Sequence, residues 1–169
     1  MSTKFVTRTA ILLALTIVFQ TMGRVIPLGQ FNQFITGSLV NACLIIAAAS
    51  GGLWGGGIIA VLAPFGAILT GAAIPLPFAP FIAIGNFILV LLFVLFKNKH
   101  IAGITAGAIL KFGFLFAAIN LFVGWMKIPS PKSVIMVTAF SWPQLVTALI
   151  GGAIALVVIR ALGKTLEKA

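Results

Sequence analysis

The sequence predicts an all-α integral membrane protein with six transmembrane helices and both termini on the cytoplasmic side. Three observations predict it. Hydrophobic residues fill 62% of the 169 positions and charged residues only 7%, against roughly 25% charged in soluble domains. The mean hydropathy is +1.27. The apolar runs are continuous over about 20 residues, enough to cross a bilayer as a helix, and do not alternate as barrel strands do.

A chain this apolar cannot cover its own surface with polar groups, so soluble globular, disordered and disulfide-scaffold classes are excluded. Backbone amides inside lipid must be paired within their own helix. Six spans use most of the length. A single six-helix membrane domain over residues 1–169 is expected, with no room for a soluble catalytic or nucleotide-binding domain.

The first span covers about residues 6–22 and stops near Gly23-Arg24. Lys4 and Arg8 precede it as in a secretory signal, but no A-x-A cleavage site follows, so the span is read as retained. Residues 25–32 form a short loop. The second span, about 33–50, ends at Gly51-Gly52. The third, about 54–71, contains Pro64, which is expected to kink it by removing a backbone donor. Residues 72–80 hold three prolines and read as a loop. The fourth span, about 81–96, leads into the hydrophilic turn Lys97-Asn98-Lys99-His100. The fifth covers about 101–124. Residues 125–132, with two prolines and two lysines, read as another loop. The sixth, about 134–162, is longer than a bilayer needs and is expected to tilt or emerge.

The net charge is +10. In a membrane protein, basic residues mark cytoplasmic ends and contact anionic lipid, so no nucleic-acid partner is expected. With the N-terminus inside, cytoplasmic segments hold Lys4, Arg8, Lys97, Lys99, Arg160, Lys164 and Lys168, and outer segments hold Arg24, Lys127 and Lys132. The three longer loops then face outward, where recognition is expected.

The usual catalytic sets are missing. The chain has no Asp, its one acidic residue is Glu167 in the C-terminal tail, and His100 and Cys43 each stand alone. No metal, cofactor or triad chemistry is therefore expected. Gly163-Lys164-Thr165 resembles the end of a P-loop, but the required earlier glycine is Val158.

Lys111 is the most informative position. It lies near the middle of the fifth span, about 15 Å from the cytoplasmic end. An ammonium at that depth costs about 2.5–3.5 kcal/mol on insertion scales, and no span offers an acidic partner. Two readings are open. Either the side chain snorkels or pairs with backbone carbonyls, or the missing counter-charge is a bound anionic ligand. Asn41, Asn86 and Gln144 lie within the outer halves of their spans. Asn120 is shallower and points to the other side of its helix. Trp142, Phe31 and Phe34 are candidate pocket walls. On the first span, Ala10 and Ala14 expose a small-residue face suited to close helix contact.

These features converge on one family. The chain resembles the substrate-binding S components of energy-coupling factor (ECF) transporters, in a subfamily without an assigned substrate. The likeness is carried by Arg8-Thr9-Ala10-Ile11-Leu12-Leu13-Ala14, by Gln33-Phe34-Ile35-Thr36-Gly37-Ser38-Leu39-Val40-Asn41 and by Ser141-Trp142-Pro143-Gln144-Leu145-Val146-Thr147-Ala148-Leu149-Ile150-Gly151-Gly152. The resemblance implies a subunit without its own ATPase that binds a vitamin-like micronutrient at the outer face of the bacterial cell membrane. It implies docking through Ala10 and Ala14 onto a transmembrane coupling subunit with two cytoplasmic ATPases, and ATP-dependent uptake. It also implies a lid containing Arg24, Gln30 and Asn32, and a site lined by Asn86, Lys111 and Gln144. Without an acidic residue in its spans, the chain does not suit a cationic vitamin such as thiamine. Without an N-terminal metal-binding extension, it does not suit nickel or cobalt. A stand-alone secondary transporter or channel, and a small membrane enzyme or assembly factor, are the alternatives. The first lacks an intramembrane carboxylate to couple protons, and the second lacks catalytic sets.

Overall fold

The computed structural model describes residues 2–26, 31–72 and 74–166. The described residues are helical with no strand: α1 (Thr3–Val25), α2 (Phe31–Leu69), a 3-10 turn (Leu76–Phe78), α3 (Ala79–Leu95), α4 (His100–Trp125), α5 (Lys132–Ala139) and α6 (Trp142–Leu166). Five helical segments among them are long and apolar enough to cross a membrane.

Helix α1 begins at Ser2, whose hydroxyl accepts from the Phe5 amide at 3.3 Å and so satisfies one free N–H of the first turn. Inside it, the Thr16 hydroxyl donates to the Leu12 carbonyl at 2.7 Å. That local bond leaves the threonine needing neither water nor a partner helix.

Helix α2 runs through 39 residues. A straight helix of that length would measure about 58 Å, nearly twice a hydrocarbon core of about 30 Å. It is not straight. Gly52 adopts φ 61°, ψ −154°, a conformation open to glycine alone. There the chain turns back on itself. A methyl group added at Gly55 would sit 2.7 Å from the Ala47 carbonyl oxygen, whereas residues eight apart in one helix are about 12 Å apart along its axis. The two arms, 31–51 and 53–69, therefore lie side by side, and the break falls at the Gly51-Gly52 pair that ends the predicted second span. The dihedrals around Pro64 stay helical, and Gly52 is where α2 leaves them.

The predicted sixth span is also interrupted. Helix α5 stops at Ala139 and α6 starts at Trp142, with Phe140 and Ser141 between them. Pro143 is the physical reason. Its missing N–H is the donor that would have met the Ala139 carbonyl in a continuous helix. The segment 72–80, read as a loop, contains the 3-10 turn and the first residues of α3.

The α2 hairpin is the centre of the bundle. It packs against α1, α3 and α6, while α4 closes the far side against α3 and α6. Two apolar clusters fill the interior. One gathers Leu44, Ile45, Ile59, Leu89, Val90 and Ala108. The other gathers Phe78, Leu115, Ile119, Phe122 and Met136. Helix α1 touches chiefly α2 and leaves most of its circumference uncovered.

Candidate functional site

The two clusters are separated on α4 by one polar residue. Lys111 lies one turn from Ala108 of the first cluster and one turn from Leu115 of the second, and is only 2% exposed. Its Nζ donates to Asn41 Oδ1 at 2.6 Å and to Asn86 Oδ1 at 2.8 Å. The ammonium thus meets side-chain amides from α2 and α3, not the backbone carbonyls considered from the sequence. Among the described residues there is no Asp or Glu to neutralise it.

The positive charge also orients both amides. Each asparagine oxygen must face Nζ, so each Nδ2 points elsewhere. Asn41 Nδ2 donates to Thr147 Oγ1 at 3.3 Å, and the Thr147 hydroxyl donates to the Gln144 carbonyl at 3.3 Å. Helices α2, α3, α4 and α6 are joined at one level by this chain of bonds.

Lys111 lies on the wall of a cavity of about 340 Å³, within the range of small-molecule pockets. Asn41, Asn86, Gln144, Gln20, Gln33 and Thr36 supply its polar lining. Ile74, Ile82, Ile135, Met136 and Phe140 supply apolar wall. The end of α5 is held in place by two glutamines: Gln33 Nε2 and Gln144 Nε2 both donate to the Ala139 carbonyl, the latter at 3.1 Å. That carbonyl is the one Pro143 leaves without a helical donor.

Of the residues singled out in the sequence, Lys111, Asn41, Asn86 and Gln144 come together on this wall. Trp142 lies outside the lining, 54% exposed, with its ring 5.4 Å from that of Phe34. Phe31 is exposed. Asn32 accepts from Thr36 Oγ1 at 3.2 Å and is likewise outside the lining. Asn120 is exposed and donates to the Phe116 carbonyl of its own helix at 2.7 Å. The Arg24 side chain and Gln30 lie outside the described residues. Ala10 and Ala14 are both exposed on α1. His100 stacks on Phe93 with ring centroids 5.2 Å apart.

Sequence reasoning missed Gln20, Gln33 and Thr36 as lining residues, and it missed α5 as a wall. Gln33 carried a signal, because it opens an apolar span with a polar amide. Nothing in the apolar run of α5 marked it as distinct from α6.

A family model described as "ECF transporter, substrate-specific component" matches residues 4–163. No curated protein and no solved structure gives a significant match. The matched segment includes every element that builds the cavity, and the chain belongs to the family of substrate-specific S components of ECF transporters.

Proposed function

We propose that this S component captures a small anionic, partly apolar, vitamin-like micronutrient in the cavity beside Lys111 and supports its ATP-dependent uptake across a bacterial cell membrane. One observation carries the reading: a 2%-exposed ammonium borders a ligand-sized cavity with no carboxylate among the described residues. Asparagine oxygens solvate such a charge but do not cancel it, and a bound anion does both.

In this reading Lys111 pairs the anionic group, Asn41, Asn86 and Gln144 position it, and Arg24, Gln30, Asn32 and Trp142 belong to the outer rim. Counting the α2 hairpin as two crossings gives six spans in one membrane domain and puts both termini on one side. The end of the bundle with the start of α1 and the end of α6 carries Lys4, Arg8, Lys97, Lys99 and Arg160, which favours the cytoplasm for it. The cavity then opens toward the outer side.

The chain acts as a transport subunit without its own ATPase. Its partners are a transmembrane coupling subunit and two cytoplasmic ATPases. The uncovered face of α1, with Ala10 and Ala14 exposed, supports docking there.

Uptake of the co-purified ligand into proteoliposomes, with and without the coupling subunit and ATPases, tests this function. Accumulation only with the complete complex and ATP is expected. Accumulation by the isolated chain without ATP would establish a stand-alone transporter instead, and chemical turnover of the ligand would establish an enzyme.

A further inference from the structure

We infer that the ligand is a monocarboxylate, its two oxygens held by Lys111 Nζ and Asn86 Nδ2, with an uncharged and mainly apolar body. The inference rests on reading the cavity as the substrate site and specifies what that site selects.

The charge balance of the wall comes first. Lys111 is the one charged residue among the described residues lining the cavity. In a water-poor interior an uncompensated charge is costly. A ligand with one negative charge brings the site to neutrality. A neutral ligand leaves the ammonium uncancelled, and a cation is repelled. A phosphate monoester brings about −1.5 to −2 charges and three acceptor oxygens, which asks for a second cation that the described lining residues do not provide.

The donors come second. A lysine ammonium has three N–H bonds, and Asn41 and Asn86 take two of them. One remains for the cavity. Asn86 is 4% exposed and lines the same cavity. Because its oxygen faces Nζ, its amide nitrogen is turned away from the ammonium, and it donates to no other described residue. Asn41 differs, since one of its two amide N–H bonds is taken by Thr147. The wall therefore offers the third N–H of Nζ and the unengaged Asn86 Nδ2 for two carboxylate oxygens. The same lining carries Ile82, Met136 and Phe140 as apolar surface, and the Gln33 and Gln144 amide nitrogens each spend one N–H on Ala139.

The test uses the full chain in nanodiscs and thermal-shift titration against a panel of matched compounds. The panel holds monocarboxylates, their primary amides, the corresponding amines, dicarboxylates and phosphate monoesters. Water-soluble acids and long-chain fatty acids form separate arms, which separates a solute from a membrane-derived source. Stabilisation confined to monocarboxylates is expected. It should fall at least tenfold in affinity in Asn86→Asp, which gives Lys111 an internal counter-ion and keeps its pairing. If Asn86→Asp does not fold, Asn86→Ser, which removes the nitrogen donor and retains an oxygen, is expected to show the same loss. Stronger stabilisation by dicarboxylates or phosphate esters, unchanged monocarboxylate affinity in the folded variant, or no response to any monocarboxylate overturns the inference while leaving an anion site in place. Stabilisation only by amides or amines overturns both the inference and the anion reading.

Discussion

Asn41 Nδ2 donates to Thr147 Oγ1 at 3.3 Å, and this bond lets the same amide turn its oxygen to Lys111 at 2.6 Å. A threonine on α6 thereby fixes how an asparagine on α2 receives a lysine on α4. The buried ammonium is held by a relay and not by a single contact.

Thr147→Val tests the relay. The substitution preserves shape, and Thr147 is 1% exposed, so packing should survive. Asn41 Nδ2 is left buried without its acceptor, at a cost of about 1–3 kcal/mol. Thermal unfolding should show that loss. Ligand affinity should fall less than tenfold, since Asn41 Oδ1 still faces Nζ. Unchanged stability would show that the bond contributes nothing.

Gly52→Ala tests the reversal of α2. At φ 61°, ψ −154°, a Cβ-bearing residue is strained by about 1–3 kcal/mol. The melting temperature should drop. Ligand affinity measured well below the melting temperature should persist, because Gly52 lies at the opposite end of the hairpin from the cavity. Loss of affinity in a folded variant would contradict that separation.

The two glutamines on Ala139 should behave non-additively. In Gln33→Leu or Gln144→Leu the remaining glutamine still satisfies the carbonyl, and each single loss should stay below about 1 kcal/mol. With both removed, the carbonyl has neither glutamine nor the Pro143 amide, and the loss should exceed the sum of the single ones. A double-mutant cycle on thermal stability measures this directly. Additive effects would show that the shared acceptor is irrelevant.

Ala14→Leu should separate binding from coupling. Ala14 is exposed on α1, so a larger side chain meets nothing within the subunit but blocks close approach of a partner helix. Co-purification with the coupling subunit should be lost while ligand affinity stays at the wild-type level. Retained assembly would move the docking surface elsewhere.

Much of this was legible because lipid is an unforgiving solvent. A lysine and two asparagines inside apolar runs must find partners, so Lys111, Asn41 and Asn86 stood out before any contact was known. Gly51-Gly52 ended the predicted second span, although Gly55-Gly56-Gly57 and Pro64 punctuate the same apolar stretch. Which groups Lys111 meets was not legible, since Asn41 and Asn86 lie 70 and 25 residues away in sequence and only packing brings them together. The break between α5 and α6 was hidden for another reason. Both sides of Phe140 are apolar, so periodicity cannot register the interruption, and the effect of Pro143 falls on the carbonyl of Ala139, four residues earlier. Pro64 shows the reverse case, a proline within a helix whose dihedrals stay helical. Trp142 had the chemistry of a pocket wall, yet its place at the start of α6 turns it toward Phe34 and the outer surface.

On this reading the counter-charge of Lys111 arrives with the ligand. Native mass spectrometry of wild-type protein and Lys111→Met, released gently from the membrane, tests it most directly. The account predicts one small organic anion per wild-type chain, and affinity for that compound weakened in the variant by at least about 2 kcal/mol, through loss of a buried charged contact. A neutral or cationic ligand, or an anion bound equally well by Lys111→Met, would contradict it.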